Sequence, residues 1–485
     1  MMKFNQSTTA ANNNEENDDN NSFVHYSNSI NLYRNLLILT FLSSILFGIL
    51  QNLFTIDHYI YHYSEWTTIS LAIGFMFNAL SVYYAQIFVE YFGLYCTILF
   101  TIISIILFIF IHYFINNFLL FQSTIILMSL LIGPFYSAQL EFLSKFLSNL
   151  TSTTTIKHYR NEHYQQSSTW TLSSSTSIKP ICLHLFRQQY CDHAFYYIFS
   201  NHHHHNIRLS SSSSDANHHS KSVSNQFDND FIKILITIFI IISLIILSIV
   251  IVLLNRIDQQ QRKYLYNGYP NHNNNHSSYS IRNNIIFRTF RDNHLRLLLP
   301  MAFFIGFEQG FFMADYNKLY VSCALGLKSI GSIMLIRGLI HLGSTLLILE
   351  FIHHIQRPII LLAGTVCQLS VLTILYLWHP NDDIPLYYVI TITYSLANAI
   401  METLLLTNVL RTFCPDEWKY SFLTIYSMNN LGLAIAFAIS EFICLYIKIY
   451  SLIIILIFAC IPMQLCELRL MKFEKILGPG SQSQL

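Results

Sequence analysis

Charge is what this sequence has least of: only 11% of its residues are Asp, Glu, Lys or Arg. A soluble domain carries about 25%, so a string of water-soluble domains is excluded. Neither sign dominates, since 27 basic side chains stand against 26 acidic ones. A nucleic-acid partner would need a basic face, and none is expected. The chain also lacks a Gly-rich phosphate cradle, a metalloprotease helix and a nucleophile elbow. No cofactor and no metal are expected. The tail 1–34 has an Asn-rich, acidic run over 12–21 and no basic stretch leading into an apolar core. A cleaved signal peptide is therefore not expected.

The nine cysteines do not form a disulfide framework. Cys96, Cys323, Cys367, Cys444, Cys460 and Cys466 sit in or beside apolar runs, where Cys behaves as a small hydrophobe. Cys414 falls in a loop. Cys182 and Cys191 lie in a long polar stretch and could pair if that stretch is extracellular.

What fills the chain instead is apolar length. Hydrophobic residues reach 53%, with 38 Phe and 30 Tyr suited to lipid contact and headgroup belts. A span takes about 20 mostly apolar residues. Eleven segments qualify: 35–56, 67–89, 94–114, 118–138, 231–254, 295–314, 328–350, 357–378, 386–410, 422–445 and 447–468. The polar stretch 139–230, rich in Ser, Thr, His and Asn, separates the fourth from the fifth, and 255–294 separates the fifth from the sixth. Neither has the apolar content to offset chain entropy, so both are expected to be disordered or loosely ordered. His202 to His205 could hold a transition metal through imidazole, but low-complexity drift is the preferred reading.

Basic residues mark the cytosolic ends of spans. Arg469, Lys472 and Lys475 place the tail 469–485 in the cytosol. Counting back, Arg411, Lys419 and Arg357 fall inside, and Asp382 with Asp383 outside. The 255–294 loop, with Arg256, Arg262, Lys263, Arg282, Arg288, Arg291 and Arg296 in or beside it, also falls inside. That leaves 139–230 outside. Counting forward from Lys3 and Arg34, four spans return the chain to the inside at 139. The two counts conflict across 139–230, and one span is missing there.

The most specific run is GFEQGFFMADYNKLYVSCALG, residues 306–326. It contains Gly306, Phe307, Glu308, Gln309 and Gly310, then Asp315, Lys318, Tyr320, Cys323 and Gly326. A carboxylate inside a span is costly and usually faces a bundle interior or a wet cavity. At about 1.5 Å rise per residue, Glu308 lies roughly 20 Å from the cytosolic start of its helix. Arg337 lies about 14 Å down the next helix from the outer side. In a hydrocarbon core of about 30 Å the two reach similar depths. Glu402 falls roughly 10 Å below Arg337 by the same count. An ion pair between helices, a conformational latch, and direct contact with a solute or proton all stay open for Glu308, Arg337 and Glu402. Asp315 and Lys318 are three residues apart and share a face if the helix continues. At the outer boundary they read as a solvated helix end. Phe304, Phe307 and Phe311 have the spacing of a packing stripe.

That run resembles the signature of the uncoordinated-ninety-three family, a branch of the major facilitator superfamily. Gly133-Pro134-Phe135-Tyr136-Ser137-Ala138-Gln139 resembles the end of the family's fourth helix, and 395–432 its tenth and eleventh. Relatives carry an acid where this chain has Asn398, and Glu402 restores one a turn later. The turn Val89-Glu90-Tyr91-Phe92-Gly93 keeps the Gly of the major facilitator gating loop but not its basic residues. Cys182 and Cys191 resemble the cysteine-bearing outer loop that follows the fifth helix in relatives. The segment 181–200 is the one candidate for that helix, and a segment lost from the sequence is preferred over a true eleven-span protein. Asn149-Leu150-Thr151 is a glycosylation acceptor if its loop is luminal.

The resemblance covers about 35–145 and 290–468. It implies an all-α polytopic bundle of two six-helix halves. The first half comprises spans 1–4 over 35–138 and 231–254 in the place of helix 6, and the second fills 295–468. It also implies a non-enzymatic protein, an accessory subunit of a two-pore-domain potassium channel or an escort for a trafficking client, at the plasma membrane or in endomembranes. The alternative is a secondary transporter with a midplane site around Glu308, Arg337 and Glu402. The partners expected are the lipid bilayer and another membrane protein.

Overall fold

The computed structural model describes residues 64–111, 118–162, 219–266, 292–322, 328–352, 354–378, 383–413, 417–440 and 442–477, with Leu325 and scattered positions between 34 and 49. The elements among them are helices: α1 Ser64–Phe92, α2 Leu94–Ile111, α3 Phe118–Glu162, α4 His219–Tyr266 and α5 Asn293–Phe311. A π-helical stretch, Phe312–Ser322, continues α5. There follow α6 Lys328–Phe351, α7 Arg357–Leu377, α8 Ile384–Thr412, α9 Trp418–Ser440 and α10 Leu445–Leu477. Ten helices among the described residues are long and apolar enough to cross a membrane. The protein is an all-α polytopic membrane protein. The predicted span 35–56 lies largely outside the described residues; the other predicted spans each coincide with one of the ten.

Helices are forced here because lipid offers the backbone no partner, so every peptide group must bond within its own segment. The scattered hydroxyls obey the same constraint. Thr237, Ser248, Thr373 and Ser451 are exposed on the helix surfaces, and each donates to the carbonyl four residues back. Leu, Ile and Phe cover much of the remaining outer face, among them Leu119, Leu347, Leu362 and Phe458, as a lipid-facing surface requires.

The polar stretches are more ordered at their ends than expected. α3 runs on to Glu162 and α4 begins at His219, so 139–162 and 219–230 are helical. Likewise 255–266 belongs to α4. Nucleation is the costly step of helix formation, and extension from an established span needs no apolar content. Buried Leu140, Phe142 and Leu143 also hold the first turns past 138 against the rest of the protein.

In the first half α1 packs against α3, while α2 packs against α3 and α4. Gly93, at φ 81°, turns the chain between α1 and α2. Gly133 permits α3 to approach α1 closely: a Cβ there would overlap the Ser81 side chain. In the second half α5 packs on α8, α9 and α10, and α8 also receives α6 and α7. α9 joins the halves by lying along α1 and against α3. Asn78 Nδ2 donates to Asn430 Oδ1 and to the Tyr426 hydroxyl, each at 2.9 Å. Ser427 donates to the Ala79 carbonyl at 2.8 Å, and the Tyr136 and Tyr426 rings lie 3.8 Å apart. Lys419 Nζ reaches Glu141 Oε2 at 2.6 Å.

Candidate functional site

The glycines of the 306–326 run set how closely α5 meets α9. A Cβ on Gly306 would overlap the Asn429 carbonyl, and one on Gly432 would overlap the Phe303 carbonyl. A Cβ on Gly310 would come within 2.5 Å of Ala436 Cβ. The small residues thus let two backbones touch, the usual basis of tight helix pairing in lipid. That crossing rotates the opposite face of α5, with Glu308, into the interior toward α6 and α8.

Glu308 is 1% exposed, and neither of its carboxyl oxygens has a hydrogen-bond partner. Arg337 of α6 is near enough to act on it electrostatically but makes no direct ion pair with it. The Arg337 guanidinium instead lies 4.9 Å from the Phe312 ring centroid and 5.4 Å from that of Tyr394. Those two rings are stacked on each other at 4.2 Å, and a guanidinium over aromatic faces is stabilised by the ring quadrupoles. Glu402 Oε2 lies 3.2 Å from His341 Nε2. Tyr394, Asn398 and Glu402 follow one another at four-residue spacing along α8, and Arg337 and His341 do the same on α6, so each set shares a helix face. All five are buried.

From Phe312 a ladder of rings climbs the π-helical stretch. Phe312 stacks on Tyr316 at 4.5 Å, Tyr316 on Tyr320 at 5.6 Å, and Tyr320 on Trp378 at 6.0 Å. Residues four apart neighbour one another on a helix surface, and π-helical stretches are frequent at functional sites. The hydroxyls are used as well: Tyr316 donates to the Tyr387 carbonyl at 3.1 Å and Tyr320 to the Leu375 carbonyl at 2.8 Å.

Two further charge clusters close the ends of the second half. Asp315 meets Lys448 of α10, and Lys448 Nζ also donates to the Ser440 carbonyl at 2.5 Å. At the opposite end Glu467, fully buried, lies 3.8 Å from Arg411 and within electrostatic reach of Arg357. Arg357 and Arg411, which the sequence offers as markers of sidedness, are also partners of a buried carboxylate.

The structure therefore brings Glu308, Arg337 and Glu402 into one interior, together with Phe307 and Gln309 on the buried face of α5. Asp315 is buried rather than part of a solvated helix end, while Lys318 is half-buried. Cys323, Gly326, Cys182 and Cys191 lie outside the described residues; Asn149 falls within helical α3, with its side chain outside them. Sequence reasoning missed His341, Lys448 and Glu467. The four-residue spacing of His341 from Arg337, and a lysine inside the apolar run of α10, were the available signals.

No family model matches the chain. It is 31% identical over 169 residues to protein unc-93 homolog A of Bos taurus, covering 34% of this chain and 36% of that protein. The Danio rerio homolog A is 33% identical over 173 residues, 35% of this chain and 37% of that protein. A Caenorhabditis elegans protein named "Putative potassium channel regulatory protein unc-93" is 27% identical over 158 residues, 32% of this chain and 22% of that protein. The matched part thus spans 36% and 37% of the two homolog A relatives' length. Over that matched third, the chain is similar to unc-93 family proteins.

Proposed function

We propose that this protein regulates another membrane protein, with a potassium channel subunit as the first partner to test, and acts on it without enzymatic chemistry. The observation that carries the reading is the similarity to the C. elegans protein, which is named as a potassium channel regulatory protein. Escort of a trafficking client to the plasma membrane, or between endomembranes, is the same reading with a different readout. The test is co-expression with a two-pore-domain potassium channel. The expected outcome is a change in channel current or in channel surface density. An unchanged current and an unchanged density across the channel family would end this reading.

A second reading, secondary transport of a small solute or ion, is favoured by the interior cluster of Glu308, Arg337, His341 and Glu402. Transporters keep ionisable groups at such depths. Uptake into vesicles containing the purified protein separates the two readings, because a regulator alone moves no solute.

A further inference from the structure

We propose that Glu308 is a proton-binding site inside the second half, with Arg337 as its movable counter-charge. Glu308 is 1% exposed and both of its oxygens are without a hydrogen-bond partner. An ionised carboxylate so placed would have lost its water and gained no donor, a cost of many kcal/mol that proteins escape by neutralising the group. The pocket as built therefore suits the acid rather than its anion.

Arg337 supports the same reading. Its guanidinium rests on the Phe312 and Tyr394 rings, although the carboxyl is within electrostatic reach. Against a charged Glu308, attraction across a low-dielectric interior would favour a direct pair over ring contact. Against a neutral Glu308, the rings are the better seat. The groups facing the carboxyl agree: Arg337 comes from α6, Tyr394 from α8 and Cys460 from α10. α9 presents the Asn429 backbone at Gly306. Further along α8, Glu402 acts on the same Tyr394 and sits beside His341. With one proton on Glu308 and His341 neutral, Glu402 and Arg337 balance each other.

A metal cation fits less well. No group of three His, Cys, Asp or Glu side chains that could hold a metal occurs among the described residues, and Arg337 would repel one. The step is simple acid–base chemistry. A proton from water adds to one carboxylate oxygen, giving the carboxylic acid, and no other bond changes. Its loss frees an anion that draws Arg337 off Phe312, the first ring of the ladder. Proton occupancy is thereby linked to the π-helical stretch. The inference holds whichever membrane partner the protein has.

The test is infrared difference spectroscopy on the full chain in lipid nanodiscs, between neutral and alkaline pH. The expected result is a protonated-carboxyl stretch at neutral pH that disappears on alkalinisation, is absent in Glu308→Gln and survives in Glu402→Gln. Should Glu308→Gln fail to fold, Glu308→Asp must shift the band. The wild type alone can also decide against the proposal, because a spectrum without any protonated carboxyl overturns it. So does a band that persists in Glu308→Gln. Stabilisation by sodium at fixed pH that is lost in Glu308→Asp would overturn it too, by making the site one for a metal cation.

Discussion

Asp315 of the π-helical stretch and Lys448 of α10 meet at 2.6 Å with each side chain only 3% exposed. The contact ties three chain segments, because Lys448 also holds the last carbonyl of α9 at Ser440 and the Ser440 hydroxyl lies 3.5 Å from Asp315. Breaking a buried pair by removing one partner typically costs about 3–5 kcal/mol, whereas replacing both by apolar groups is often neutral. Asp315→Asn or Lys448→Met should therefore lower the melting temperature in lipid nanodiscs. The Asp315→Leu, Lys448→Met double variant should recover most of the loss. Additive losses would show that the two charges are held by other partners.

The α5–α9 crossing gives a second prediction with an internal control. Gly306→Ala must push Cβ into the Asn429 backbone, while the same change at Gly343 of α6 meets nothing within 4 Å. Overpacking a tight contact costs about 1–3 kcal/mol, and the backbone on the other side cannot rotate away. Gly343→Ala should be neutral or stabilising by up to about 1 kcal/mol through helix propensity. Thermal melts of the two variants check the contrast. Equal behaviour would mean that α5 and α9 are not in backbone contact.

The spans were legible because length and hydropathy alone define them, and ten helices lie where apolar runs predict. Glu308, Arg337 and Glu402 were legible for a related reason: ionisable groups are rare at such depth and stand out. Their partners were not. Depth arithmetic brings Arg337 level with Glu308 but cannot see the Phe312 and Tyr394 rings that hold the guanidinium. Asp315 illustrates the limit most clearly. An α-helical spacing rule offers Lys318, yet the stretch is π-helical, which re-aims every side chain. The ion pair is then made 133 residues away in sequence, a separation that no local rule reaches.

The contact between halves predicts unequal costs for two substitutions. Asn78→Leu would strand Asn430 Oδ1, which accepts from Asn78 at 2.9 Å, and leaving a buried polar group unsatisfied costs about 1–3 kcal/mol. Lys419→Glu breaks a pair whose Glu141 side chain is 31% exposed, where ion pairs are worth about 0–1 kcal/mol. Melting should fall clearly for the first and little for the second. The swap Glu141→Lys with Lys419→Glu should restore what the second loses. A larger loss for Lys419→Glu than for Asn78→Leu would place the main contact between halves at the helix ends.

The same ion pair bears on sidedness. Glu141 and Lys419 touch, so they lie on one face of the membrane. Lys419 lies in the first turn of α9, and two crossings, α9 and α10, separate it from the basic tail, so those two also share a side. If basic residues mark the cytosol, Glu141 is cytosolic, and so is Asn149, which follows the span Leu119–Ser144 within helical α3. Asn149 should then carry no glycan, and a tag inserted at 150 should label only after permeabilisation. Tags at 270 and at the C-terminus should behave alike, given the basic residues of the 255–294 loop. One described span, Ile236–Ile257, lies between 150 and 270. Equal labelling at those two sites therefore requires another crossing between them, for which 181–200, outside the described residues, is the sequence candidate. Opposite labelling would remove that crossing. A glycosidase-sensitive shift lost in Asn149→Gln would instead contradict the sidedness drawn from the Glu141–Lys419 contact.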